Sequence, residues 1–592
     1  MTAGDPQSER ARTGRARLDA SGGTWRQLVP ILIFLTIGLF LFPSAGRDDK
    51  YISYWPAHTL ATYGEILNYN GERVEQSSSL LLVVLVASVV KLTPFDPPMA
   101  AWLLGVFSGA AALVACGRLA ARCEAGGAWP AMLLSSVSGC FVYWSFSGTE
   151  VPLVALTATL AVLTSRPLLE GRTSPKAILL SAGALLLFLA CRPESPHVAL
   201  CATAGMLVLL ALRRTSWQDK RRSLRGASLL LGEVAVLAAC LALFRLLYFD
   251  SFLPQPALVK YQGLSWNQLD RGLSYVGRFP WLTPLWLGCI VGLLAAVWDV
   301  LRSQTANLTR SLLALFCLSS MGFVVLAGGD WMEGARFIAH VLPLLVVLAL
   351  SAVFRTQIAG LATSMTAALV ALGLLSSVHL AQTQSLAIPF WARPAPATQA
   401  ESSYSWLQTQ NRSQRRDIPL AEAMQTIIGA VLEETPERVY IAAENIGMVI
   451  YFAATKYYGR IGTVDLHGLT DRYLTDVAHP RSKPAIFGLM WGPEALYPLF
   501  EGLLRPAGVP FPVIAVFQGG SYPARSHMAE RLGRRVAYWT RRAPERGPWW
   551  MRGRQLGNNQ YITVDEKFAK TAENLELEGN SVDRRGRPPR GR

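Results

Sequence analysis

Two adjacent carboxylates, Asp48 and Asp49, are the residues whose type and placement point most directly to chemistry. They sit in Arg47-Asp48-Asp49-Lys50-Tyr51-Ile52-Ser53-Tyr54, just after an apolar segment, and the stretch continues through Asn70-Gly71-Glu72-Arg73-Val74-Glu75. Paired acids at a membrane surface repel each other and lose solvation. A general base, a metal ligand or a cation site would each account for them; a solvated loop start is the plain structural alternative. Further along stand Ser147-Gly148-Thr149-Glu150, Arg192-Pro193-Glu194, Lys260 beyond Pro254 and Pro256, and Gly328-Gly329-Asp330-Trp331 with Arg336. Arginine and lysine suit a phosphate or pyrophosphate. A carboxylate suits removal of a proton from an attacking hydroxyl. Together they suit transfer from an anionic, lipid-linked donor. Each residue also has a structural reading. Glu150 and Glu194 are helix-end acids favoured by the dipole, Arg192 can snorkel, and Lys260 can be a solvated charge. Asp330 and Arg336 can form a plain ion pair, and Trp331 an interfacial anchor.

The elements that must position these residues are membrane helices. The 592 residues are 51% hydrophobic and 16% charged, against about 25% charged in soluble domains. The net charge of +16 lies largely in short loops and the two ends, which fits positive-inside topology and anionic lipid rather than nucleic acid. All eight cysteines fall between Cys116 and Cys317, with no zinc spacing, and the seven histidines are scattered. No Gly-rich phosphate loop, nucleophile elbow or His-Glu-x-x-His motif is present.

Residues 1–26 read as a polar, Arg-rich, disordered cytosolic tail, and 27–43 as the first span, which puts Asp48-Asp49 outside. The apolar run 80–93 is short for a span, which needs about 20 residues. If it crossed, the basic loops near Arg118, Arg172–Lys176 and Arg213–Arg225 would all lie outside, so it is expected not to cross. Further spans are expected at about 99–117, 128–146, 150–164, 177–191, 196–212, 226–248, 281–301, 311–327, 338–354 and 359–380, about eleven in all. This topology collects the carboxylate and arginine motifs on one outer face. Residues 388–396 read as a linker. Beyond it, a helix is expected at Ala421–Glu433 and strands at Val439–Ala443, Pro484–Met490, Pro512–Phe517 and Arg535–Trp539. The expected class is a polytopic α-helical membrane protein, 27–380 with a loop at 44–79, carrying a C-terminal α/β extracytoplasmic domain at 381–564 and a disordered tail at 565–592.

In order, these motifs resemble the GT-C membrane glycosyltransferases, and among them the terminal β-(1→2)-arabinofuranosyltransferase family. Asp48-Asp49-Lys50-Tyr51-Ile52 and Asn70-Gly71-Glu72-Arg73-Val74-Glu75 are similar to that family's first loop, DDAYI…NPGERVEG. Ser147-Gly148-Thr149-Glu150, Arg192-Pro193-Glu194, Leu253-Pro254…Lys260, Gly328-Gly329-Asp330-Trp331-Met332…Arg336-Phe337 and Asp465-Leu466-His467-Gly468-Leu469-Thr470-Asp471 follow in the family's order. The likeness covers roughly residues 30–475. It implies a bacterial inner-membrane enzyme, N-terminus cytosolic, that uses a polyprenyl-phosphate-linked sugar, arabinofuranose above all, on the periplasmic side, with a glycan or glycoprotein as acceptor. It implies Asp48 or Asp49 as the catalytic carboxylate, and Arg192, Lys260 and Arg336 around the donor phosphate. Glu75, Glu150, Asp330, Asp465 and Asp471 would hold sugar or acceptor. A divalent metal is left open, since some GT-C enzymes bind one and others do not. The chain departs from the family pattern at Tyr54-Trp55-Pro56 and Gln76-Ser77-Ser78, where sugar or acceptor would be read. The competing class is a transporter or flippase for a lipid-linked sugar, which would place ionisable groups near the bilayer midplane.

Overall fold

A computed structural model describes residues 25–42, 49–260, 265–277, 283–302, 307–330, 334–355, 359–383, 421–443, 446–465, 469–470, 514–518, 534–540, 560–565 and 568. The polar ends, the 388–396 linker, the strand expected at Pro484–Met490, and Asp48, Trp331 and Asp471 lie outside the described residues. The chain is a polytopic α-helical membrane protein with a C-terminal α/β portion.

Among the described residues, six helices are long and apolar enough to cross a membrane: Pro97–Arg122, Val151–Leu169, Ser195–Leu212, Trp217–Phe249, Leu285–Arg302 and Leu308–Leu326. Shorter apolar helices occupy Gln27–Leu41, Leu80–Leu92, Pro175–Leu189, Leu342–Phe354 and Thr363–Val378. Leu80–Leu92 is the run expected not to cross; the others match the expected spans within about five residues, except that Trp217–Phe249 begins nine residues before the expected 226 and one span is broken. The span expected at 128–146 is two helices, Ala128–Ser136 and Gly139–Ser145. The break at Val137 is tolerated because Ser377 Oγ donates to the Val137 carbonyl at 2.7 Å, so the freed acceptor is satisfied by a neighbouring helix. Leu80–Leu92 is a 13-residue helix capped by Ser79, whose side chain accepts from Leu82 N. At about 1.5 Å per residue it is about 20 Å long, short of the bilayer's apolar core.

Packing divides the chain into two compact units, neither continuous in sequence. One comprises Met1–Gly46, Trp102–Cys240 and Leu264–Gln410. Its helices Val151–Leu169 and Pro175–Leu189 pack together, as do Ser195–Leu212 with Leu308–Leu326 and Thr283–Arg302 with Leu342–Arg355. The second comprises Arg47–Ala101, Leu241–Gly263 and Asn411–Arg592. The first loop thus clusters with the α/β portion, together with the helix Leu80–Leu92 that follows it.

The second unit holds a five-stranded sheet in the order β2-β1-β3-β5-β4, with β1 Val439–Ala443, β2 Ile461–Asp465, β3 Ile514–Gln518, β4 Arg534–Thr540 and β5 Gln560–Asp565. β1 pairs parallel to β2 and β3, whereas β5 runs antiparallel to β3 and β4. A helix covers 421–434 and another Met448–Tyr457, the latter forming the crossover that the parallel pair β1 and β2 requires. The sequence pattern does not mark β2 or β5. β2 reads Ile-Gly-Thr-Val-Asp and is buried throughout, so it lacks the alternation that marks a half-exposed strand. Within the 44–79 stretch, Lys50–Tyr63 is a helix that buries Tyr51, Tyr54 and Trp55.

Candidate functional site

In the first unit, three stretches far apart in sequence bring charge together. Glu150 and Glu194 occupy the N-cap positions of Val151–Leu169 and Ser195–Leu212, but neither side chain caps its own helix. Both instead accept from Arg192, Glu194 from Nε and Glu150 from Nη1, and all three side chains are almost fully buried. The third stretch is the turn after Leu308–Leu326. Gly328 and Gly329 take φ of +77° and +75°, a region closed to most side chains, and this delivers Asp330 to Arg336, whose Nε donates to Asp330 Oδ2 at 2.7 Å. Ala335, at φ +53°, turns the chain into the short helix Arg336–Ala339. Gly334 is held there by Trp144, whose Nε1 donates to its carbonyl at 2.8 Å. The Arg192 and Arg336 guanidiniums both lie over the Phe337 ring, at 5.0 and 5.5 Å from its centroid.

The cluster sets three carboxylates against two guanidiniums. Beside it, His340 sits in the turn before Leu342–Arg355, outside that helix, and burial, with the nearby Arg192 charge, pushes its pKa down to about 3. The imidazole is therefore neutral at physiological pH. With Glu194, Ser195 and Ser320 it forms the polar lining of a small cavity of about 10 Å³, room for about one water.

In the second unit, Asp49 is the N-cap of Lys50–Tyr63 and makes no side-chain cap bond. Among the described residues its carboxylate has no hydrogen bond or ion pair. A helix N-terminus favours negative charge there. Burial lowers the pKa of the adjoining Lys50 to about 8. The rest of the first loop is fastened down. Glu75 accepts from Arg245 Nε at 2.8 Å and Nη2 at 3.1 Å, and its own carbonyl accepts from Gln255 N at 2.9 Å. Burial raises the Glu75 pKa and Arg245 opposes that rise. Asn70 pairs with β2 through both ends of its amide, Nδ2 to Thr463 O at 3.0 Å and Oδ1 from Thr463 N at 2.6 Å. Asn68 Nδ2 donates to Thr470 O at 3.0 Å. Asp465, at the end of β2, accepts from Leu469 N, Thr470 N and Thr470 Oγ1 through one oxygen, Oδ2, at 2.7–3.0 Å. Lys260 differs from these buried groups: it ends the short helix Gln255–Lys260 and is exposed.

Of the residues singled out from sequence, Glu150, Arg192, Asp330 and Arg336 thus belong to one unit, and Asp49, Glu75, Lys260 and Asp465 to the other. Glu75 and Asp465 are engaged in buried structural bonds. Sequence reasoning misses Arg245 and His340. Arg245 carries a signal, a lone arginine in the apolar run Leu241–Phe249, and ionisable residues in such runs rarely lack a role. Among the described residues no group of three or more His, Cys, Asp or Glu is arranged to hold a metal ion.

No protein-family model matches the chain. In a 371-residue alignment that covers 56% of the chain, it is 26% identical to the terminal β-(1→2)-arabinofuranosyltransferase of Corynebacterium glutamicum. The chain is similar to an arabinofuranosyltransferase. The match covers 51% of that protein, so the chain spans about half the length of the curated relative it matches. Among solved structures, the oligosaccharyltransferase of Archaeoglobus fulgidus in its apo form aligns at 13% identity and a TM-score of 0.48, over 83% of this chain and 69% of that one. ArnT from Cupriavidus metallidurans, bound to undecaprenyl phosphate, aligns at 10% identity and a TM-score of 0.48, over 96% of this chain and 100% of that one.

Proposed function

We propose that this protein is a membrane glycosyltransferase that moves a sugar, arabinofuranose by its resemblance, from a polyprenyl-phosphate donor to a cell-envelope glycan or glycoprotein on the periplasmic side of the bacterial inner membrane. The observation that carries the reading is the Asp49 carboxylate, at a helix N-terminus without a hydrogen bond among the described residues, in a stretch that resembles the first loop of the arabinofuranosyltransferase family. The carboxylate of Asp49 or its neighbour Asp48 takes the proton of an acceptor hydroxyl as that oxygen bonds to the anomeric carbon. The bond from that carbon to the phosphate oxygen breaks, and polyprenyl phosphate leaves with the electron pair.

The phosphate needs cationic partners. Arg336 has one carboxylate on its Nε, whereas Arg192 is held by two. On this reading Arg336 and Lys260 are the candidates to hold the phosphate, and Arg192, tied to both Glu150 and Glu194, is the residue that positions its cluster. Asp330 then orients Arg336, and Asp465 and Glu75 act through the loops they fasten.

The test is purified protein with synthetic polyprenyl-phosphate-arabinofuranose, a panel of acceptors, and Asp48→Asn and Asp49→Asn. Release of polyprenyl phosphate by the wild type, lost in one variant, supports the reading and identifies the base. Release that survives both substitutions removes this pair from the mechanism.

A further inference from the structure

We propose that the stacked tyrosine pair Tyr63 and Tyr458 is a subsite for the sugar chain of the acceptor, away from the point of transfer. The proposal rests on the transferase reading and extends it to how the acceptor is held. The two rings stack at 5.2 Å between centroids with planes 25° apart. Tyr63 is 50% exposed, whereas the rings behind the pair, Trp55 and Tyr69, are buried. The pair is rigidly backed: Tyr458 packs on Trp55 at 5.2 Å, and Trp55, wholly buried, stacks on buried Tyr69 at 5.4 Å. Four rings thus form a ladder from the core outward, ending in an exposed face.

The backbone around the pair keeps that face open. Each tyrosine directly precedes a left-handed glycine, Gly64 at φ +78° and Gly459 at φ +83°, and a Cβ at either would meet nothing within 4 Å. Gly71, also left-handed, brings backbone so near that a Cβ there would stand 3.2 Å from the Tyr458 hydroxyl. Glu65 lies close enough to act on Tyr458, and its carboxylate accepts from Arg73 at 2.9 Å, with both side chains about half exposed and the Arg73 guanidinium over the Tyr248 ring. A flat aromatic face with hydroxyl and carboxylate groups at its rim fits a sugar ring. The C–H face of the sugar lies on the negative π-cloud, and its hydroxyls reach the polar rim. Bare apolar ligands would not use the rim.

Placement favours a chain rather than a single sugar. Tyr63 ends the 14-residue helix that Asp49 begins, so the two are about 20 Å apart along its axis. That distance corresponds to several sugar residues of an extended acceptor.

The experiment is calorimetric titration of the purified full chain, without donor, using arabinofuranose oligosaccharides of two and six residues and a peptide control. The expected result is tighter binding of the hexasaccharide, weakened at least about tenfold by Tyr63→Ala and restored by Tyr63→Trp. Equal binding by wild type and Tyr63→Ala overturns the proposal, as does binding of the peptide alone or of no oligosaccharide. The transferase reading fails separately, on the donor side. A protein that binds hexasaccharide through Tyr63 yet releases no polyprenyl phosphate from any sugar donor keeps this subsite and loses that activity.

Discussion

Glu75 and Arg245, 170 residues apart in sequence, meet as a buried two-bond ion pair, Nε to Oε2 at 2.8 Å and Nη2 to Oε1 at 3.1 Å. Their side chains are only 3% and 4% exposed, so water screens the pair little. Removing one partner strands a buried charge and is expected to cost about 3–5 kcal/mol, whereas replacing both with apolar residues of similar volume is not. Glu75→Leu and Arg245→Met should each lower the apparent melting temperature in detergent. The double variant should recover most of the loss. A double variant no more stable than the worse single would show that the pair does not act as a unit.

What is legible in the sequence, and what is not, follows from this kind of contact. Membrane helices are legible because a run of about 20 apolar residues admits few other structures. The break at Val137 is not, because its tolerance depends on Ser377, 240 residues away. Acids and arginines at helix ends can be picked out by type, but not their partners. Nothing local marks Glu150 as a ligand of Arg192 rather than a cap of its own helix. β2 is hidden for a related reason: a strand buried on both faces loses the alternation that identifies one.

Arg192 and Arg336 should separate under the same substitution. Lysine keeps the charge but loses the planar fork that lets Arg192 serve Glu150 and Glu194 together. Arg192→Lys is expected to lower thermal stability with little change in donor KM. Arg336→Lys is expected to raise donor KM about tenfold or more with a small change in stability, as befits a phosphate ligand. Steady-state kinetics and melting curves on both variants would check this. The reverse assignment would make Arg192 the phosphate ligand.

His340 predicts an acid limb of stability. Its folded-state pKa is held near 3 against 6.5 in an unperturbed histidine, by burial and by Arg192. Between those values the unfolded chain binds a proton that the folded chain does not. Stability contributed by neutral His340 is therefore complete above about pH 6.5 and is lost as pH falls toward 3. His340→Gln, which cannot charge, should flatten the decline of melting temperature between pH 6.5 and the lowest pH at which the protein stays soluble. An unchanged slope would mean another group carries the limb.

Asn70 ties the first loop to the sheet through both halves of its amide. Asn70→Asp is nearly the same shape, but it replaces the donor to the Thr463 carbonyl with a second acceptor. It should therefore destabilise more than Asn70→Ala, which leaves two backbone groups unpaired at about 1–3 kcal/mol each. Amide hydrogen exchange at β2 is the direct measurement. Faster exchange in Asn70→Asp, with the membrane helices unchanged, is expected.

Glu233 separates the transferase from the transporter. It lies at the middle of the 33-residue helix Trp217–Phe249, and both its carboxylate oxygens are buried without a hydrogen-bond partner among the described residues. The Ser181 hydroxyl of Pro175–Leu189 is near enough to interact with this carboxyl, but it falls outside hydrogen-bond geometry and is itself buried without a partner. Mid-span acids often serve in transport, whereas the transferase reading puts all of its chemistry at helix ends. Glu233→Gln keeps the shape and removes the ionisable proton. Polyprenyl phosphate release should be unchanged within about twofold, because no proposed step passes through this carboxyl. If release stays intact while movement of a fluorescent lipid-linked sugar across reconstituted vesicles is lost, the protein carries lipid as well. If wild type and variant move none, Glu233 is a helix-packing residue and transport has no remaining support.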